Sequence, residues 1–148
     1  MVTHQHQFLD AAMNGNLEVV KLLLADPRVD PSGWNNNNVA IRWAASRGHL
    51  KIVKLLLADP RVDPSGEDND AILSSACAGY LEIVKLLLND PRVDPSDYDN
   101  DSIRYAADNG HFEVVKLLLT DPRVFSSNIQ DIDINNIKMN IMMLLCVT

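Results

Sequence analysis

The sequence is poor in the residues that build chemical sites. Among its 148 residues are two cysteines and four histidines, and Cys77 and Cys146 lie too far apart for a C-x-x-C spacing. Neither a disulfide framework nor a zinc site is therefore indicated, and a reducing, intracellular setting is predicted. No glycine-rich phosphate loop and no G-x-S-x-G elbow occurs in the sequence. We accordingly expect a protein that is not an enzyme and has no cofactor.

Long apolar runs and an excess of positive charge are also missing. The longest apolar run, 141–147, is much shorter than a membrane span, and the amino terminus lacks the features of a targeting signal. Thirteen basic against twenty acidic residues give a formal net charge of −7, which disfavours attraction to nucleic acid or an anionic membrane. With 47% hydrophobic and 22% charged residues, the composition fits one soluble domain, expected in the cytoplasm.

The histidines form no pattern that would bind a metal. His4 and His6 form H-Q-H near the amino terminus, and no other ligand stands at a spacing that completes the set. His49 and His111 follow a glycine at equivalent positions, which favours a shared role in the scaffold over catalysis. We therefore expect no metal site.

A repeat with a period of 31 to 33 residues organises the chain. The segment K-L-L-L-x-D-P-R-V begins at Lys21, Lys54, Lys85 and Lys116. A glycine stands six residues before each of these lysines, so the unit extends upstream of the shared segment. We expect four repeats, at about 5–32, 38–65, 69–96 and 100–127, followed by a degenerate cap or tail over 128–148.

Each unit predicts two helices and a loop. Residues 40–47 contain good helix formers, Gly48 ends this inner helix, and residues 50–57 begin an outer helix that is apolar on more than one side. Pro60 and the D-P-S-G segment at 63–66 then turn the chain toward the next unit. One helix pair cannot bury its own apolar surface, so stability must come from interfaces between units. The expected fold class is all-α, a single solenoid of about four helix-turn-helix repeats.

The repeated segments resemble ankyrin repeats. The resemblance covers about residues 5–127 and is carried by A-I-R-W-A-A-S-R-G-H-L-K-I-V-K-L-L-L and S-I-R-Y-A-A-D-N-G-H-F-E-V-V-K-L-L-L. The family's T-P-L-H motif is replaced here, for example by Val39-Ala40-Ile41-Arg42, and D-P-R-V-D-P-S stands where a glycine-bearing loop is common. This substitution is similar to that in ankyrin arrays of large DNA viruses of amoebae. The tetratricopeptide repeat is a distant second interpretation because it lacks the double alanine before Gly-His.

The resemblance implies a protein-binding scaffold that uses its loop tips and the concave face of its inner helices. In this chain the outer helices hardly vary, whereas the loops and the inner-helix ends differ between units. Free drift of surface loops is the alternative explanation. The candidate partner-binding residues are Trp34, Asn36, Asn38, Arg42, Ser46, Arg47, Glu67, Asn69, Cys77, Tyr98, Asn100, Arg104 and Asp108.

The aromatic residues of these regions divide into two pairs. Trp34 and Tyr98 fall in loops, where rigid aromatic side chains are favoured interface anchors. Trp43 and Tyr105 occupy equivalent inner-helix positions, and we expect them mainly to pack between neighbouring repeats. The acidic residues of the loops are explained more simply by solvation than by binding.

The ends of the array need covering, and Thr3 is a candidate N-cap of the first helix. At the other end, apolar residues of 129–148 recur at helical steps and are predicted to cover the fourth repeat, although a decayed gene end would look the same.

The leading hypothesis is a monomer that binds an unidentified protein, a host protein under the viral resemblance. The alternative is a structural or self-associating protein that joins its copies through 137–147.

Overall fold

Residues 3–126 are the part of the chain that the computed structural model describes, and they form helices and turns with no strand among them. Four helix pairs follow one another: α1 (His4–Asn14) with α2 (Leu17–Leu24), α3 (Val39–Ser46) with α4 (Leu50–Leu57), α5 (Gly66–Cys77) with α6 (Leu81–Leu88), and α7 (Asp97–Asp108) with α8 (Phe112–Leu118). A short 3₁₀ turn (Trp34–Asn36) precedes α3, and α9 (Pro122–Ser126) follows α8. The all-α solenoid predicted from the repeat is confirmed. The predicted cap at 129–148 and the alternative self-association segment 137–147 lie outside the described residues.

The helix pairs stack in chain order. Inner helix α1 packs on α3, α3 on α5 and α5 on α7, and the outer helices pack in the same order. Small side chains let the inner helices approach closely, and those that are fully or almost fully buried are Ala11, Ala12, Ala44, Ala45, Ser75, Ala76 and Ala106. One core therefore runs along the whole array, and each unit contributes a layer of it.

The outer helices α4, α6 and α8 are buried on two sides, as their apolar pattern predicts. In α4, Val53 and Leu56 are fully buried, and Ile52 is 1% exposed beside the preceding unit. Val19, at the equivalent position of α2, is 42% exposed, since no helix among residues 3–126 lies on that side. The side-chain oxygen of Thr3 accepts a hydrogen bond from the backbone N–H of His6, which confirms the predicted N-cap of α1.

The D-P-R turn after each of the last three outer helices, α4, α6 and α8, joins adjacent units. Arg61 donates to both carboxylate oxygens of Asp59, at 2.9 and 2.7 Å, while its third nitrogen reaches the backbone oxygen of Val29 in the preceding unit. Arg92 repeats this arrangement, and its hydrogen bonds to Asp90 lower the pKa of that carboxyl below the usual 3.8. The repeated D-P-R therefore both ends a helix and links two units.

A ring from each later unit packs on the turn glycine of the unit before it. A Cβ added to Gly79 would lie 2.4 Å from the ring of His111. The same relation holds between Gly15 and His49, and between Gly48 and Tyr80. One ring nitrogen of His49 also lies 3.0 Å from the backbone oxygen of Met13. The structure thus gives both histidines the scaffold role expected from their shared position.

Buried amide side chains tie each loop to the next one. The side-chain oxygen of Asn69 accepts a hydrogen bond from the backbone N–H of Asp94 at 2.8 Å, and its amide nitrogen donates to Asp97 at 2.9 Å. Equivalent 2.8 Å bonds join Asn38 to the backbone N–H of Asp63 and Gln5 to that of Asp30. Because 25 residues separate the partners in every case, each bond joins the loop that opens a unit to the loop that closes it.

The residues that lead into α5 and α7 adopt a left-handed turn. The φ angles are 52° to 61° over 67–69 and 50° to 66° over 98–100. This conformation costs roughly 1–2 kcal/mol per residue for most L-amino acids and least for asparagine and aspartate. The hydrogen bonds of the buried asparagine that ends the turn offset part of this cost. The sequence predicts only a loop here, and the abundance of Asp and Asn in this loop was the one feature that could have indicated a left-handed turn.

The buried apolar side chains of the outer helices should contribute most to the stability of the array. Replacing Leu56 with Ala is expected to lower the free energy of unfolding by about 2–5 kcal/mol, because the side chain is fully buried and leaves a cavity. Replacing the exposed Lys54 of the same helix with Ala should change it by no more than about 0.5 kcal/mol. Urea unfolding followed by circular dichroism measures both, and equal losses would contradict the assigned packing.

Substitutions at two glycines can distinguish the cost of backbone strain from the cost of a collision between units. Gly79 and Gly110 have φ angles of 78° and 76°, but a Cβ at Gly110 meets no atom within 4 Å. Alanine should therefore strain the backbone at both positions and collide with His111 only at 79. We expect Gly79→Ala to lower the free energy of unfolding by about 1–3 kcal/mol more than Gly110→Ala. Equal effects in urea unfolding would show that the ring contact contributes nothing.

The contribution of the hydrogen bond between Asn69 and Asp94 to stability can be measured by comparing two asparagines that have almost the same backbone conformation. Asn69 and Asn35 have φ angles of 61° and 60°, but Asn35 is exposed and makes no side-chain hydrogen bond within residues 3–126. Asn69→Ala should lower the free energy of unfolding by about 1–3 kcal/mol more than Asn35→Ala, since it leaves the N–H of Asp94 without its acceptor. Thermal melts of the two variants test this, and similar melting temperatures would contradict it.

Candidate protein-binding surface

The inner helices leave one side of the array open. We use the name inner face for the exposed and half-buried side chains of α1, α3, α5 and α7 together with the loop tips at 34–37, 67–68 and 97–99. One position that keeps at least part of its surface free recurs once in every unit, and it is occupied in turn by Asp10, Trp43, Ser74 and Tyr105. The residue at this position is therefore free to change without disturbing the core.

Trp43 and Tyr105 belong to the inner face, and the prediction that they pack between repeats is wrong. They are 38% and 40% exposed. In α3 the fully buried side chains include the small Ala40 and Ala44, whereas Trp43 of the same helix keeps more than a third of its surface exposed. Both rings therefore form part of the surface.

The asparagines predicted to contact a partner are part of the scaffold. Asn38, Asn69 and Asn100 are 2%, 7% and 0% exposed. Asn38 and Asn69 use their amide groups in the bonds between loops, and burial of all three removes them from the candidate surface. The sequence could not show this, because the partner of each bond lies 25 residues away.

The arginines of α3 and α7 are neutralised by acidic neighbours. Arg42 donates from Nε to Asp70 of the next unit at 2.8 Å, and Arg104 pairs with Asp101 in its own helix. The guanidinium of Arg104 also lies 5.5 Å from the centre of the Tyr105 ring, within range of a cation–π interaction. These arginines hold the surface together more than they add positive charge to it.

Tyr98 is an exposed ring that is fixed at its far end. Its hydroxyl donates a 2.6 Å hydrogen bond to Asp68 on the preceding loop tip, and the residue is 54% exposed. This hydrogen bond, with the negative charge of Asp68, raises the pKa of Tyr98 above 10.0. The ring of Tyr98 is thereby held between two loop tips. The side chain of Trp34, the other predicted loop anchor, lies outside the described part of the structure.

The remaining predicted residues keep at least part of their surface free. Cys77 is half-buried, and its sulfur accepts a hydrogen bond from the side chain of Asn109 at 3.3 Å. Ser46 is also half-buried, whereas Asn36, Arg47, Glu67 and Asp108 are exposed. Apart from Trp34 and the buried asparagines, the predicted residues therefore keep part of their surface free in three successive units.

The described residues supply no other kind of site. Within residues 3–126, no group of three or more His, Cys, Asp or Glu side chains is arranged to bind a metal. The Nδ1 atom of His4 instead lies 2.7 Å from a carboxylate oxygen of Asp26. In the same range, no helix has both the length and the apolar character needed to cross a membrane.

Comparison with known proteins agrees with this architecture. A family model described as ankyrin repeats (3 copies) matches residues 8–99 and, in a second alignment, residues 43–135. No curated protein matches the chain significantly. The match concerns ankyrin repeats in general, and no finding assigns the chain to the narrower group of viral arrays. The two alignments together span all four helix pairs, and the chain belongs to the ankyrin-repeat family.

Proposed function

We propose that this protein is a non-enzymatic scaffold that binds a protein partner through its inner face. Ankyrin repeats generally mediate protein–protein interaction, which supports the class of function. The observation that carries the choice of surface is the exposure of three aromatic side chains on one face, those of Trp43, Tyr98 and Tyr105. Exposed tryptophan and tyrosine residues are the side chains most often found to dominate binding energy at interfaces.

The rigidity of the inner face supports the same function. Its two middle helices, α3 and α5, pack on an inner helix at each side, and Asn69 and Tyr98 join adjacent loops by hydrogen bonds. A surface that is already ordered loses little conformational freedom when a partner binds, so more of the contact energy appears as affinity. The outer helices instead present nearly the same exposed lysines in every unit, a pattern less suited to selecting one partner.

The proposal extends to the setting in which the protein acts. We infer a monomer in the cytoplasm that uses no cofactor, and the acidic net charge of −7 supports a partner that is neither nucleic acid nor membrane. Under the narrower resemblance to viral ankyrin arrays, the partner is a host protein.

Removing the two inner-helix aromatics should abolish binding without unfolding the array. The double change Trp43→Ala and Tyr105→Ala is expected to weaken retention of the partner by about tenfold or more, since anchors of this kind often contribute 2 kcal/mol or more each. The matched control is Leu22→Ala, because Leu22 is apolar and 74% exposed but lies on outer helix α2. Affinity purification from cells that express the protein, with quantitative mass spectrometry, compares the three chains.

Two results would contradict the proposed function. One is equal retention of the same proteins by the double variant, by Leu22→Ala and by the unchanged chain. The other is a chain that light scattering finds oligomeric, and that becomes monomeric when 128–148 is removed, with no other protein retained. The second result would favour the self-association alternative. Circular dichroism melts of each variant confirm that the fold is intact before binding is compared.

A further inference from the structure

The charge of the molecule is divided between its two faces. The inner helices and the loop tips that lead into them, over 4–14, 34–47, 66–78 and 97–109, carry eight carboxylates and three arginines. The outer helices α2, α4, α6 and α8 carry three carboxylates and five lysines. With neutral histidines, the inner side has a net charge of −5 and the outer helices have a net charge of +2. The acidic charge of the chain is thus concentrated on the inner face.

Most of these inner carboxylates have no cationic partner among residues 3–126. Asp70 and Asp101 pair with Arg42 and Arg104. In the described part of the chain, no lysine or arginine forms an ion pair with the other six, which are Asp10, Glu67, Asp68, Asp97, Asp99 and Asp108. Arg47 is the one arginine of the inner side, over those ranges, that has no ion-pair partner. A partner would therefore meet an excess of unpaired negative charge.

The same face carries a small side chain between two rings. At the position that Trp43 and Tyr105 occupy in the flanking helices, α5 carries the half-buried Ser74. Inner helices pack on one another with a spacing of about 8–10 Å, so the two rings stand roughly 16–20 Å apart. An interval of this size accommodates one or two apolar side chains of a partner.

We propose that the inner face recognises a cationic segment of its partner, with lysine or arginine at the loop tips and an apolar side chain over α5. This inference rests on the proposed function, in which the inner face binds a protein. A partner segment that is acidic would be repelled, and one that is wholly apolar would remove the carboxylates from water without replacing their hydration. Cationic side chains pair with Glu67, Asp68 and Asp99 and also stack on exposed aromatic rings. The net charge of −5 on the inner side, beside the exposed aromatic rings, is complementary to such a segment.

A random peptide library can identify which side chains the protein prefers in a bound peptide, without assuming that they are basic. The full chain is panned against phage-displayed peptides of about twelve residues, and the most enriched peptide is synthesised as the probe for fluorescence anisotropy. We expect enrichment of lysine and arginine together with at least one large apolar residue. Binding of this peptide to the unchanged chain should weaken about tenfold or more between 0.05 and 0.3 M NaCl, because salt screens exposed charge.

Two triple variants remove equal charge from opposite faces. Glu67→Gln, Asp68→Asn and Asp99→Asn neutralise the loop tips, and asparagine tolerates the left-handed backbone of 68 and 99 at least as well as aspartate. Glu18→Gln, Glu82→Gln and Glu113→Gln do the same on the outer helices, where the three glutamates are exposed. The peptide should bind about tenfold more weakly to the first variant and within about twofold of the unchanged chain to the second.

The outcomes separate this inference from the proposed function. Enriched peptides that are acidic or uncharged, and that no longer bind after Trp43→Ala and Tyr105→Ala, would overturn the inference and leave the binding function in place. Basic peptides that bind both triple variants equally would also overturn it. Peptides that bind undiminished after the aromatic changes would count against the inner face as the binding site. The salt titration uses the unchanged chain, so it remains decisive if a variant fails to fold.

Discussion

A hydrogen bond that a buried asparagine side chain accepts from the backbone N–H of the next loop sets the arrangement on which the inner face depends. Asn69 makes this bond to Asp94, and Asn38 makes it to Asp63. The bond fixes where each inner helix begins, even though the backbone enters the helix in a conformation that most residues avoid. Because adjacent loops are held in register, the hydroxyl of Tyr98 can reach Asp68 in the preceding unit. The exposed side chains of the inner face are therefore positioned by groups that are themselves buried.

The packing also explains why one face varies and the other does not. An outer helix such as α4 is buried on two sides, by Ile52 toward the preceding unit and by Val53 and Leu56 toward the core, so few substitutions are tolerated. An inner helix needs small residues only where it meets its neighbours. Its remaining positions can hold tryptophan, serine or tyrosine at no cost to the core. Difference between units is thus permitted on the inner face, where we propose that a partner binds.

The helices, the repeat and the order of packing could be predicted because their causes are local. Apolar spacing, a glycine at each turn and a proline after each outer helix act within a few residues, and the N-cap at Thr3 is of the same kind. Exposure of Trp43 was mispredicted, although Ala40 and Ala44 already occupy the packed side of the same helix. Burial of the asparagines could not be predicted. It depends on a left-handed backbone, which only the abundance of Asp and Asn indicates, and on a partner 25 residues away, which no short pattern in the sequence indicates.

The account is tested most directly by hydrogen exchange at the two backbone N–H groups that donate hydrogen bonds to the asparagine side chains. Amide exchange followed by NMR on the full chain compares the N–H groups of Asp63 and Asp94 with that of Leu56 inside α4. Both aspartates are exposed, so an unbonded amide at these positions should exchange at the rate of an open loop. The account predicts that both amides exchange as slowly as the helical amide, and more slowly than loop amides by orders of magnitude. Exchange of Asp63 and Asp94 at loop rates would show that the loops are not tied together and would contradict it.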